Sequence, residues 1–201
     1  EKFINWKKEV APDLLAGIHD HDLDNIIGIG HSFGGIATLI AAINEPERFK
    51  AIILLDPTIL PVWVMRGLAF ARLIGLGRLN PLAKRAQKRR MNFDNIDDAF
   101  AYFRPKRLFS DWSDDMIWLY SGTLAPSSNG HKLTLAWPRE WEAYYFRTLY
   151  TGTWGDLPQL SPDIPLLVIR GGISDTLLPN AMKKMQRIMP QMDVAEIPGH
   201  G

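Results

Sequence analysis

Residues 25–43 read NIIGIGHSFGGIATLIAAI, an apolar run that stops at a serine among glycines and then resumes with helical periodicity. Serine and glycine are poor helix-interior residues, so the stretch cannot be one continuous element. It predicts a buried strand (25–30), a sharp turn and a small-residue helix over 33–44 that is apolar all round. Three more segments read as short strands: 51–56 (AIILLD), 165–171 (PLLVIRG) and 193–198 (DVAEIP). The first two are near-continuous apolar runs, like the strand at 25–30, and parallel strands covered on both faces have this character. The fourth is mixed and belongs near a sheet edge. Amphipathic spacing predicts further helices over 3–16 and 181–189. Strand and helix alternate, so the fold class is α/β with a mostly parallel sheet flanked by helices.

Between 57 and 161 the pattern changes. Strand-like runs disappear, and aromatic residues, arginines and helical spacing take over. Six of the seven tryptophans lie here, at positions 63, 112, 118, 137, 141 and 154. A connection of that length between two strands is not a loop. The expected organisation is therefore a core from 1–56 and 162–201, with a mostly helical insertion at 57–161. An exposed turn is expected at 125–132 (APSSNGHK), which carries His131.

Composition narrows the partners. A net charge of +1 leaves no global field for nucleic acid. With no cysteine there are no disulfides, thiol nucleophiles or thiolate metal sites. This fits a reducing compartment, and the cytoplasm is the expected location. The opening residues are charged and amphipathic, unlike a signal peptide. The most apolar long segment, 61–79, is interrupted by Arg66 and Arg72, so no membrane-inserted helix is expected. The basic run 82–90 (LAKRAQKRR) reads as a solvated helix face. Asp94, Asp97 and Asp98 lack the glycine and distal glutamate of a calcium loop and read as an acidic helix start.

The turn at 30–34 spells G-x-S-x-G between a strand and a helix, the context in which that motif is meaningful. A dinucleotide fingerprint beginning at Gly28 would need its third glycine at position 33, which is Phe33. A helix-capping serine is the plainer alternative. As a nucleophile, Ser32 would sit at the positive end of the following helix, with the backbone N–H of Phe33 available to an oxyanion. A serine hydroxyl needs a base, and the base needs an orienting acid. His19 and His21 lie in a polar loop and His31 points away from its neighbour. His200, on a glycine-flanked loop after the last strand, is the candidate base. Asp175, just past the third strand, is the candidate acid, with Asp56 at the end of the second strand as its rival. The order Ser32, Asp175, His200 suits the motif.

With these loops assembled, the chain resembles a cap-bearing serine enzyme of the α/β-hydrolase superfamily. The resemblance rests on NIIGIGHSFGG, AIILLDPT, PLLVIRGGISDTLLP and VAEIPGHG, and on an insertion where that family carries its cap. It covers the C-terminal two-thirds of such an enzyme, so the four strands correspond to the last four of the family sheet and the elbow strand becomes an edge. The loop that supplies the family's second oxyanion donor has no counterpart. The expectation is an N-terminally truncated member, weakly active or inactive by itself. The resemblance implies acyl-enzyme hydrolysis of a small, largely apolar ester or related acyl compound, with no metal or organic cofactor. A serine peptidase, a C–C bond hydrolase or a non-catalytic binding module on the same scaffold are the alternatives. Relatives that use aspartate at the elbow are excluded by Ser32.

Overall fold

A computed structural model describes residues 5–127 and 133–201. Phe3, Ile4 and His131 lie outside the described residues. The chain divides into two compact units, Glu1–Ile74 with Leu149–Gly201, and Gly75–Thr148; the second lies inside the interval read above as an insertion.

In chain order, a π-helical turn Trp6–Val10 leads into α1 (Ala11–Asp20), then β1 (Ile26–His31), α2 (Phe33–Asn44), β2 (Phe49–Leu55) and α3 (Val62–Leu73). The second unit holds a 3-10 turn Leu76–Leu79, α4 (Pro81–Gln87), β3 (Asn92–Phe93), α5 (Ile96–Phe103), α6 (Asp114–Ser121), β4 (Ala125–Pro126), β5 (Leu133–Thr134) and α7 (Arg139–Arg147). The chain then returns through α8 (Thr153–Asp156), β6 (Leu166–Gly171), α9 (Pro179–Ile188) and β7 (Asp193–Ile197).

The first unit is built on a four-stranded sheet in the order β1-β2-β6-β7, with every neighbouring pair parallel. The fold is therefore α/β, and the strand carrying the glycine–serine turn stands at one edge. Ile52, Leu54, Leu166 and Val168 are buried on the face shared with Gly28 and Gly30, against which α2 packs. That helix is buried from Gly35 to Ala42, as its small-residue composition requires. On the opposite face Ile27 and Ile29 are exposed, while Ile53, Leu55, Leu167 and Ile169 are half-buried. Coverage of the sheet among the described residues is therefore lopsided, where continuous apolar strands predict two covered faces. The helix expected over 3–16 is instead split. Asn5 caps the π-helical turn by accepting from Lys8 N–H at 3.1 Å, and α1 then starts afresh with a proline in its first turn.

The second unit has its own core. Phe93, Ala99, Phe103, Phe109, Ile117 and Leu124 are buried together. Trp118 stacks on Phe100 with ring centroids 4.2 Å apart, and Trp112 meets Phe109 edge-on at 5.1 Å. These two tryptophans thus serve packing within the unit. Asn95 caps α5 by accepting from Asp98 N–H at 2.8 Å, with Asp97 and Asp98 in its first turn. The acidic cluster is a helix start, as its sequence suggests. A small antiparallel sheet, β3-β5-β4, closes the unit, and α4 lies against α7 through Ala83, Ala86 and Ala143.

Candidate active site

Ser32 is the sole residue between β1 and α2, with φ 51° and ψ −112°. A non-glycine residue in that region costs about 1–3 kcal/mol and persists only where its surroundings over-determine it. The constraint is visible on both sides. Ser32 N–H donates to the Leu55 carbonyl at 2.9 Å, tying the turn to β2. At Gly30, a Cβ would lie 2.5 Å from the Gly34 carbonyl carbon and 2.6 Å from Gly35 N, so only a hydrogen fits where the strand crosses the start of the helix. The Ser32 side chain makes no capping bond to α2; its Oγ lies 3.1 Å from the Thr58 hydroxyl. Helix capping therefore does not account for this serine. Phe33 opens α2, where the helix dipole favours developing negative charge.

The other candidates lie along the same carboxyl rim. Asp56 follows β2 with φ 41°, like Ser32 a non-glycine residue at positive φ. Its carboxylate accepts from Gly171 N–H at 3.1 Å and from the hydroxyls of Ser174 and Thr176, each at 2.7 Å. Ser174 in turn accepts from the N–H groups of Thr176 and Leu177 at 3.2 and 3.0 Å, which directs its own proton at Asp56. Asp175 sits between those two hydroxyl residues and is exposed. His200 is also exposed, and its carbonyl accepts from Ile173 N–H at 2.9 Å, so its loop lies on the turn after β6. The rim thus runs Ser32, Asp56, Asp175, His200 in the order of the strands. Among the described residues no hydrogen bond joins the Ser32, Asp175 and His200 side chains to one another. His19 pairs instead with Glu45 at 2.7 Å, and His21 and His31 are exposed.

Sequence reasoning overlooked three hydroxyls, those of Thr58, Ser174 and Thr176. Thr58 stands two residues beyond Asp56, and the other two flank Asp175. Proximity to a rim carboxylate was the available signal.

A further cluster backs the turn. Trp6 lies on the Phe33 ring at 4.4 Å and beside Tyr150 at 5.7 Å. Tyr150 donates a short hydrogen bond to Asp156, which is buried and paired with Lys7 at 2.5 Å. Burial first, then the bond to Asp156 and its charge, push the Tyr150 phenol well above its ordinary value. An unfolded tyrosine ionises near pH about 10, so above that pH the native state keeps a proton that the unfolded chain releases. Stability from this source is complete below pH about 10 and declines as pH rises further. Urea unfolding between about pH 9 and 11 should show that decline, and Tyr150→Phe should flatten it. An unchanged slope in the variant would remove Tyr150 as the cause.

The sequence model of the alpha/beta hydrolase family matches residues 5–201. A lipase, LipV of Mycobacterium tuberculosis (strain ATCC 25618 / H37Rv), is 30% identical over 94 residues, covering 46% of this chain and 36% of the lipase. Among solved structures, E-2-(acetamidomethylene)succinate hydrolase matches with a TM-score of 0.71 and 20% identity over 98% of this chain and 67% of that one. An alpha/beta hydrolase from Novosphingobium aromaticivorans DSM 12444 matches with a TM-score of 0.66 and 24% identity, over 96% of this chain and 64% of that one. The chain thus spans about two thirds of these structures and about a third of the lipase.

Proposed function

Because the chain belongs to the alpha/beta hydrolase family, we propose that it works as a serine hydrolase through an acyl-enzyme. Ser32 Oγ attacks the substrate carbonyl carbon while His200 takes its proton. The tetrahedral oxyanion is stabilised by the Phe33 N–H at the start of α2. Collapse breaks the bond to the leaving group, which departs with the proton held by His200. Water then attacks the acyl-enzyme with His200 again as base, and Ser32 is regenerated. The observation that carries this reading is the strained backbone of Ser32, together with a hydroxyl that caps nothing.

The acid that orients His200 is proposed from two rim carboxylates. Asp175 has the chain order suited to the motif. Asp56 is the second reading, and one observation favours it. Three donors hold its carboxylate, one strand away from Ser32, whereas Asp175 is exposed. An orienting acid has to be oriented itself.

The substrate class we propose is a small, largely apolar ester or related acyl compound. Matches to a lipase and to a structure described as a thermophilic esterase from Thermogutta terrifontis support that choice. The test is covalent labelling of the full-length protein with a fluorophosphonate, followed by peptide mass spectrometry. A single adduct on Ser32 is expected. An unlabelled protein that still binds acyl compounds would make this a binding module.

A further inference from the structure

The chemistry above leaves one segment unused. Between Asp56 and Asp94 there is no acidic residue, yet eight basic ones stand there, at 66, 72, 78, 84, 85, 88, 89 and 90, in a chain of net charge +1. Within the second unit, α4 buries Ala83 and Ala86 beside Ala143 and Phe146. Lys84 and Arg85 on its other side, and Lys88 just after it, are all exposed and, among the described residues, in no ion pair. Arg89 and Arg90 differ, being committed to Glu142 at 2.8 Å and Asp98 at 2.5 Å. The basic run therefore divides into two arginines that brace the unit and three cations that do nothing inside it.

The same short stretch also exposes leucine. Leu76, Leu79 and Leu82 are 46%, 58% and 47% exposed. Exposed leucines and unpaired cations within one thirteen-residue stretch, 76–88, that holds no acid narrow the possible occupant. Two of the three cations are lysines, and protein interfaces are depleted of lysine. A symmetric contact with a second copy would set these cations against themselves. An anionic lipid surface takes both groups at once, with leucines entering the headgroup boundary and cations meeting the headgroup charge. No helix among the described residues is long and apolar enough to cross a membrane, so the contact is peripheral.

We propose that the 76–88 stretch of the second unit docks the protein on anionic lipid surfaces. The inference is independent of the catalytic assignment, and its test does not use activity. The full-length protein is sedimented with vesicles of phosphatidylcholine alone, or of phosphatidylcholine mixed equally with phosphatidylglycerol, at low and high salt. Binding to the mixed vesicles alone is expected, weakening as salt rises. The triple variant Lys84→Glu, Arg85→Glu, Lys88→Glu should bind about 100-fold more weakly or worse. A control with the same change in charge, Lys50→Glu, Lys183→Glu, Arg187→Glu, should keep its binding. Leu76→Ser, Leu79→Ser, Leu82→Ser should also lose it, and since all these positions are exposed, circular dichroism should match the parent. Equal binding to both vesicle types, or equal loss in the control, overturns the proposal. So does a dimer seen by light scattering that the leucine variant dissolves, which would make a second copy the occupant.

Discussion

Ser32→Ala should lower turnover of a short p-nitrophenyl ester by about 10⁴-fold or more while leaving the unfolding midpoint close to that of the parent. The hydroxyl is the only group lost, and its contact is with the side chain of Thr58 and with no backbone group of α2. Its removal should therefore cost catalysis and little stability. His200→Ala should do comparable damage, and the double variant should be hardly worse than either single one, because nucleophile and base act as a unit. Additive losses would mean that the two residues work separately. A Ser32→Ala protein with most of the parental rate would sink the acyl-enzyme.

Asp56 should give the second large effect, and the choice of substitution separates its two duties. Asp56→Ala leaves Gly171 N–H and the hydroxyls of Ser174 and Thr176 without their acceptor. Hydrogen bonds to a charged group contribute about 1.5–3 kcal/mol each, so losing all three should cost about 4.5 kcal/mol or more by urea unfolding. Asp56→Asn should fold far better. Its amide oxygen can still accept from Gly171, its amide nitrogen can donate to the Thr176 hydroxyl once that rotates, and asparagine tolerates a positive φ; only Ser174, which already accepts twice, is left without its acceptor. If its carboxylate orients His200, Asp56→Asn should nonetheless lose about 10³–10⁴ in kcat with KM little changed, because an amide there favours the wrong imidazole tautomer. We expect this loss to exceed that of Asp175→Asn. The reverse ranking returns the role to Asp175.

The sheet and the turn were legible because their signals are local. Parallel strands buried at their centre read as apolar runs, and 165–171 falls within a residue of Leu166–Gly171; the mixed segment 193–198 falls within a residue of Asp193–Ile197, an exposed strand at the sheet's other edge. The helix over 33–44 coincides with Phe33–Asn44, since glycines on one side and Glu45–Pro46 on the other punctuate it. Two-residue strands such as Asn92–Phe93 and Ala125–Pro126 carry no periodicity and stayed invisible. The bonds around Asp56 were hidden for another reason. They join residues 115 to 120 positions apart, and nothing in either loop announces the other. In the same way a serine after a strand could be seen, but its contact with Thr58 depends on how two adjacent strands end.

Ser32 and Asp56 close neighbouring strands, and each holds a backbone angle in which glycine would rest without strain. A laboratory selection for heat tolerance alone would push Ser32 toward glycine or asparagine, while the three donors that Asp56 satisfies would hold the carboxylate in place. The hydroxyl at the edge strand is thus the part of the rim that a selection blind to chemistry would let run down.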